Sequence, residues 1–449
     1  MPLPLSRLTS GGVPEESLRQ RTRDQLELIA ESRPDLLIAS ETDDPADFAF
    51  ICERDHVLLA PEDPDPDLDA ANRLQRYFLD RQDVFDDVGG LADGPVRARR
   101  SRRYALPGRR SPGDQDLLRT LAELDRDPAF GPDFARPNHY LHVAGKCTCC
   151  PATEPTETGL TEPWPPINTT ADAGADVNVV VIDTGWYPPA AQRSWLQNVD
   201  GDLEPQPIPV PPGQLQEYAG HGTFVAGVVR AVAPACNLHV LSFHVDAQFP
   251  GGGVLEEELV QRLDDALDRD PVPHLINLSA GCPTRLDRPL RAFEDWWLEV
   301  QVTHPDLVLV AAAGNNSSPG HFYPASFPWA VGVGSLDRDG IVSSFSNYGA
   351  SADVFALGRN LVNAFPLGDY TCRESPEAGD ERTFGQMLAR WSGTSFAAPL
   401  VTGLVAAEMS AHQLAAPAAV AAVRASGQQV VGATTVASIL PSPFPPYPV

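Results

Sequence analysis

The spacing of hydrophobic and polar positions changes several times along the chain, and the changes divide it. In EESLRQRTRDQLELIAES (15–32) and DLDAANRLQRYFLDR (67–81) apolar residues recur at helical spacing, which predicts two amphipathic helices. Between them, DLLIAS (35–40) and DFAFICERDHVLLA (47–60) predict a strand and a hairpin. Residues 1–95 therefore read as a small α+β domain. GDQDLLRTLAELDRD (113–127) predicts a further short helix and PNHYLHVAG (137–145) a strand. From about residue 171 to 412 the texture becomes short apolar runs, Gly-rich turns and long helices. VNVVVIDTGW (177–186) and LVLVAAAGNN (307–316) have the continuous apolar pattern of buried strands. GTSFAAPLVTGLVAAEM (393–409) predicts a long apolar helix with Pro399 in its first turns, where a missing N–H costs least.

Two stretches break this pattern. GPVRARRSRRYALPGRR (94–110) carries seven arginines and reads as an exposed basic linker, with a protease-sensitive processing segment and a nucleic-acid arm as alternatives. KCTCCPATEPTETGLTEPWPP (146–166) is a Pro/Thr/Glu-rich linker. Residues 96–170 are thus expected to be a linker region holding one short helix and one strand. Residues 413–449 read as an Ala/Pro-rich tail ending extended in LPSPFPPYPV.

Composition removes some function classes. Sixty acidic against 33 basic residues leave a net charge of −27, the wrong sign for a nucleic-acid binder or for contact with anionic membranes. The first 20 residues hold no apolar signal core and no run approaches the ~18 apolar residues of a membrane span, so a cytoplasmic location is expected, with secretion left open. Seven cysteines without framework spacing argue against a disulfide scaffold. Cys147, Cys149 and Cys150 supply one CxxC pair, half a zinc site with no second pair, and are expected to be inert; no metal ligands are expected.

Four residues stand where chemistry is often placed. Asp183 ends a buried strand, where α/β sheets present functional groups; its plain reading is a turn aspartate. His221 sits between two glycines at the start of a small-residue helix, and its plain reading is a helix cap. Asn315 follows a strand and can donate an amide hydrogen bond into a cleft, or tolerate a left-handed turn. Ser395 opens the long apolar helix, where Ser-Gly-Thr-Ser is also ordinary capping chemistry.

Together, in the order Asp…His…Asn…Ser, these four match the subtilisin arrangement rather than the chymotrypsin or α/β-hydrolase order. Residues 176–412 resemble the subtilisin-like (subtilase) serine peptidases. LINLSAGCP (275–283) is similar to the family's strand beside the specificity pocket, and FYPASFPWAVGVGSLDRDGIVSSFSNYG (322–349) follows its pattern almost continuously. The resemblance implies an α/β fold, a three-layer domain (171–412) with a central, mostly parallel sheet, preceded by the small α+β domain. It implies Ser395 as nucleophile, His221 as general base, Asp183 as its orienting carboxylate, and Asn315 with the Ser395 N–H as oxyanion donors. It further implies that Ser279, Ala280 and Gly281 pair with substrate backbone on one rim, and Gly251, Gly252 and Gly253 on the other. Ala313 and Gly314 join them as substrate-binding positions.

Some positions depart from the family. Phe224 replaces a histidine common after the His-Gly-Thr motif and is expected under the site. Phe322 stands where the pocket floor is often glycine, which implies a shallow pocket for small or medium side chains. Cys282, beside the pocket strand, is expected to be a packed small hydrophobe. The usual high-affinity calcium loop is missing between His221 and LSFHV, so no cofactor is expected, with calcium left open. By the same resemblance the Tyr323–Pro324 bond is expected to be cis.

The implied activity is peptide-bond hydrolysis through an acyl-enzyme, on a peptide or protein bound extended. The N-terminal unit is expected either to pack on the catalytic domain as a propeptide or to remain as an uncleaved regulatory or partner-recruiting module of a dedicated intracellular processing protease. A catalytically dead binding protein is the third reading. Residues 366–390 overhang the cleft or form a surface loop; both remain open.

Overall fold

Val179–Val181, Leu309–Ala311 and their neighbours are apolar at every position because their sheet is covered on both faces. The computed structural model describes residues 3–4, 15–40, 42, 44–92, 100–113, 115–142, 152–159, 165–204, 213–243, 252–432 and 436–442. Its ten-stranded sheet runs in the order Leu3–Pro4, Gln428–Val431, Val436–Ile439, Val354–Leu357, Ala330–Leu336, Val308–Ala312, Leu275–Leu278, Asn178–Asp183, Asn237–Ser242 and Asp200–Gly201. Every pairing is parallel except the hairpin of residues 428–431 and 436–439.

The helices, in chain order, are α1 (Glu15–Ser32), α2 (Ala70–Leu79), α3 (Asp116–Arg126), α4 (His221–Val232), α5 (Glu256–Leu267), α6 (Arg291–Thr303), α7 (Thr394–His412) and α8 (Ala416–Ser426). Alternate strand residues face opposite layers. Val179, Val181, Val310 and Val333 pack with Phe224, Val228 and Val232 of α4 and with Phe396, Leu400 and Val405 of α7. Val180, Ile182, Ile276 and Leu309 pack with Leu259 and Leu263 of α5 and with Phe293 and Trp296 of α6. The result is the three-layer α/β domain the resemblance implied. No helix among the described residues is long and apolar enough to cross a membrane.

A second, antiparallel sheet contains Leu36–Ser40, Phe48–Leu59, Gly90–Leu91, Arg102–Ala105 and Ala135–His142, and it is completed by Gly253–Leu255 from the other half of the chain. Helices α2 and α3 cover one face through Leu74, Phe78, Leu117 and Leu121. Helix α1 covers the other through Leu26 and Ile29.

Four expectations change here. A boundary at 95/96 would cut through this sheet, whose strands continue to His142. The Arg-rich stretch is not a free linker where it is described. Arg102 pairs with Asp69 at 2.5 Å, Arg103 with Glu53, Arg109 with Glu123 at 2.8 Å, and Arg100 with Glu299 at 2.9 Å, while Tyr104 is fully buried between its neighbours. The run 47–60 is one strand with a register shift rather than a hairpin, because Glu53 in its middle is buried against Arg103 and Asn138 instead of turning to water. Residues 413–432 and 436–442 are not a tail: α8 packs on α7 and the two strands after it extend the main sheet.

Helices α4 and α7 pack closely at Gly403, where a Cβ would lie 2.6 Å from Val232 Cβ and 3.0 Å from the Val229 carbonyl oxygen. Gly403→Ala should therefore destabilise the fold by about 1–3 kcal/mol, the usual range for overpacking, with the loss read from the midpoint of chemical denaturation.

Candidate active site

The parallel strand Asn178–Asp183 delivers Asp183 to the carboxyl edge of the sheet, and α4 begins there with His221. The chain enters α4 through Gly220 at φ 78°, with no room for a side chain: a Cβ would fall 2.2 Å from Pro366 Cδ. Asp183 and His221 are both fully buried, and His221 Nδ1 lies 2.6 Å from Asp183 Oδ1. The same oxygen accepts the Thr184 N–H at 2.8 Å, which fixes the carboxylate plane. The edges of Trp391 and the tilted ring of Phe396 flank the imidazole at 5.6 and 5.3 Å between centroids. Phe224 lies beneath, 4.5 Å from Phe396. His221 Nε2 has no hydrogen-bond partner among the described residues.

Ser395 is the second residue of α7 and is fully buried. Its carbonyl accepts the Ser279 hydroxyl at 2.9 Å, and its own hydroxyl makes a long contact of 3.5 Å to the Ser279 carbonyl. Asn277 steadies Ser279 at 3.0 Å and is itself held by Thr402 of α7 at 2.9 Å. Asn315 Oδ1 accepts the Thr394 N–H at 2.9 Å, so the amide is anchored to the head of α7 beside Ser395. The N-terminus of that helix favours negative charge nearby. The structure thus gathers Asp183, His221, Asn315 and Ser395 at one end of the sheet.

Phe322 lies buried against Gly281 and Gly314, beyond the carboxyl ends of the strands Leu275–Leu278 and Val308–Ala312. A Cβ on Gly281 would sit 2.4 Å from its ring, and one on Gly314 3.0 Å from it. Ala280 and Ala313 are buried alongside. Cys282 is buried, and burial pushes its thiol well above its usual range, so it is an inert packed group. The Tyr323–Pro324 bond is cis. Gly253, with Gly252 before it, lies across the strand Ala135–His142 from Gly281. Gly251, Cys147, Cys149 and Cys150 lie outside the described residues. Among those described, no group of three or more His, Cys, Asp or Glu could hold a metal ion.

Between the rims lies the chain's own N-terminal unit. His142, Leu141 and Tyr140 pair antiparallel with Gly253, Val254 and Leu255. On the opposite edge His142 exchanges main-chain hydrogen bonds with Gly281 at 3.2 and 3.1 Å. The His142 ring packs edge-on against Tyr218 at 5.0 Å, and burial, with the nearby His221, pushes its pKa down to about 3. It is a neutral, packed ring. The strand expected at 137–145 is observed as Ala135–His142, with residues 143–145 outside the described residues; its position between Gly253 and Gly281 was not legible, because nothing local encodes a partner more than a hundred residues away.

Polar contacts seal this seam. His139 faces Glu256 at 3.1 Å and accepts the Arg285 N–H at 3.1 Å, while Glu256 also takes the Ala292 N–H at 3.2 Å. Residues 366–390 carry the hairpin Gly368–Thr371/Glu381–Phe384 and lean on α1: Glu374 pairs with Arg21 at 2.5 Å and accepts from Gln25 at 2.6 Å. The supposed linker supplies Glu154, whose carboxylate takes the N–H groups of Arg373 and Glu374 at 2.7 and 3.0 Å. Burial, then the adjacent Glu374, pushes Glu154 up to about 7.

Comparison with known proteins places this architecture. The Peptidase_S8 (subtilase family) profile matches residues 174–430, more than half of the chain, and the chain belongs to the subtilase family. M-protease of Shouchella clausii (strain KSM-K16) is 30% identical over 244 residues, 52% of this chain and 54% of that protein. The thermophilic serine proteinase of Bacillus sp. (strain AK1) is 30% identical over 263 residues, and subtilisin Savinase of Lederbergia lenta is 30% identical over 76% of its own length. The chain spans about half the length of the first two of these relatives. Among solved structures, the prenylagaramide maturation protease PagA aligns at 22% identity and TM-score 0.43, covering 59% of this chain and 86% of that one.

Arg21→Ala leaves Glu374 buried beside Glu154 without its cation. Breaking a buried pair in this way costs about 3–5 kcal/mol. The variant is expected to lower the melting temperature and to open the seam to limited proteolysis under conditions where the native chain resists.

Proposed function

We propose that the chain is a serine endopeptidase that uses Asp183, His221 and Ser395, with Asn315 in the oxyanion hole. The observation that carries this reading is the fully buried Asp183–His221 contact at 2.6 Å beside the head of α7, where Ser395 and the anchored Asn315 meet. In this mechanism the Ser395 hydroxyl attacks the scissile carbonyl and His221 Nε2 takes its proton. Asp183 holds the Nδ1–H tautomer and stabilises the imidazolium. The developing oxyanion is met by the Asn315 amide and the Ser395 N–H, with the α7 N-terminus adding to the field. Loss of such a side-chain donor in subtilisin costs about 10²–10³ in kcat. His221 then protonates the leaving amine, and water resolves the acyl-enzyme. In the present conformation the Ser395 hydroxyl turns to the Ser279 carbonyl, and in the reaction it turns instead to the unpartnered Nε2.

The same reading makes the strand Ala135–His142 an occupant of the substrate groove. It pairs with both rims as an extended substrate would by strand addition. The N-terminal unit then acts in cis as a gate. The extent of the seam favours the second form of the proposal: a dedicated processing protease that keeps its N-terminal unit as a regulatory module after any cut. Arg21–Glu374, His139–Glu256 and Arg100–Glu299 all span it.

A fluorophosphonate added to the full-length protein and read by intact mass tests both parts. A Ser395-dependent adduct, absent in Ser395→Ala, is expected. His142→Pro removes the N–H that bonds Gly281 and should label about 10-fold faster, the equivalent of one net hydrogen bond. No adduct in either chain would sink the peptidase reading; equal rates would sink the gate.

Phe322 filling the space between Gly281 and Gly314 predicts a preference for Ala, Ser or Val at the P1 position. Phe322→Gly should move that preference toward Leu or Phe by about 10–200-fold in kcat/KM, measured on a peptide library.

A further inference from the structure

One buried acid close to Asp183 has no part in the chemistry described so far. Glu204 follows the short edge strand Asp200–Gly201, is 9% exposed, and reaches back over the loop after Asp183. Its Oε2 accepts the Thr184 hydroxyl at 3.2 Å and the Gly220 N–H at 3.3 Å. The same Thr184 hydroxyl oxygen accepts the Gly222 N–H at 3.0 Å. Thr184 immediately follows Asp183; Gly220 and Gly222 bracket His221. We propose that Glu204 is a positioning residue for the His221–Asp183 pair: one carboxyl group ties the residue after the aspartate to the residues around the histidine. This rests on the peptidase reading above and adds to it a residue that touches neither substrate nor reacting atoms.

Its own position is over-determined. The Glu204 N–H bonds the Trp186 carbonyl at 3.0 Å, and its backbone lies against Gly185, where a Cβ would fall 2.7 Å from Glu204 Cα. Gly185 has φ 128°, so the contact is available to glycine alone. The second oxygen, Oε1, has no partner among the described residues. Burial, and next the Asp183 charge, push the group up to about 8. The titratable groups on the elements packed against it are Asp183 on its strand and His221 at the head of α4. Asp202 on its own segment turns to Arg262, and Glu217 on the loop before α4 pairs with Arg373 at 2.7 Å. At neutral pH Glu204 therefore clamps the two loops without putting a second negative charge beside Asp183. Above about pH 8 that charge appears.

The test uses the full-length chain. The downfield Nδ1 proton of His221 is followed by NMR in Ser395→Ala, alone and combined with Glu204→Ala or Glu204→Gln, while Ser395 labelling is timed in the matching Ser395-containing chains. Glu204→Ala should shift or broaden the resonance beyond detection and slow labelling about 100-fold; Glu204→Gln should recover most of both. The parent resonance should change its position near pH 8, and Glu204→Gln should abolish that inflection. Stability provides a separate reading. The folded acid keeps its proton up to about 8 while an unfolded one loses it near 4.5, so native stability falls as pH rises between the two. Glu204→Gln should accordingly melt above the parent at pH 8.5 and not at pH 4. A resonance with the same position and pH course in all three chains would overturn the proposal, even if Glu204→Ala lowered the melting temperature. Absence of any Ser395-dependent labelling in the parent would instead overturn the peptidase reading, and the resonance would still judge the clamp.

Discussion

Helices α4 and α7 lie on the same face of the central sheet, so close that only glycine fits at residue 403. His221 opens one helix and Ser395 the other, and both start at the carboxyl edge of the sheet, where Asp183 ends its strand. The spacing of the two helix axes therefore sets the spacing of the two side chains. Phe224, Trp391 and Phe396 fill the wedge beneath them and hold it open by a fixed amount. A side chain added at the crossing would be felt at the site through two rigid rods.

A second set of constraints works across the seam. Glu256 begins α5 in the catalytic domain, yet its carboxylate spends one oxygen on His139 of the N-terminal unit and the other on the first turn of α6. Glu374, on the loop of the hairpin beyond Phe365, turns both oxygens across to α1, one to Arg21 and the other to Gln25. Each buried carboxylate is satisfied only while both halves are present, and an unsatisfied buried charge is far more costly than a surface one. The two halves are thus coupled through polar groups that neither could bury alone.

The central domain was legible because its signals are local. Continuous valine and leucine runs announce strands covered on both faces; Asp183 ends one such strand and Asn315 follows another, while His221 and Ser395 sit in the first turns of two apolar helices. What stayed hidden depends on distant partners. The arginines at 100–110 look like a solvated run until Asp69, Glu53, Glu123 and Glu299 are brought to them. Residues 428–431 and 436–439 look like part of an Ala/Pro-rich tail until the edge of the main sheet accepts them. Glu204 lies in irregular chain with no periodicity, and its burial against Gly185 could not be read from either residue. Charge and composition describe a segment by itself; ion pairs and ladders belong to two segments.

The strand Gly253–Leu255 has a property that follows from its place in the antiparallel sheet. It closes a sheet otherwise made by the N-terminal unit, and with Gly281 opposite it leaves a slot one chain wide. A slot of main-chain donors and acceptors reads any extended backbone, largely regardless of side chain. Its resident, Tyr140–His142, is tethered by the same polypeptide and so competes at an effective concentration of order millimolar. A chain arriving from solution at micromolar levels faces a roughly thousandfold disadvantage before its side chains are considered. Under the gating proposed above, entry to the slot would be governed by mass action on the tether, and severing that tether would change occupancy far more than any improvement in the visitor's sequence.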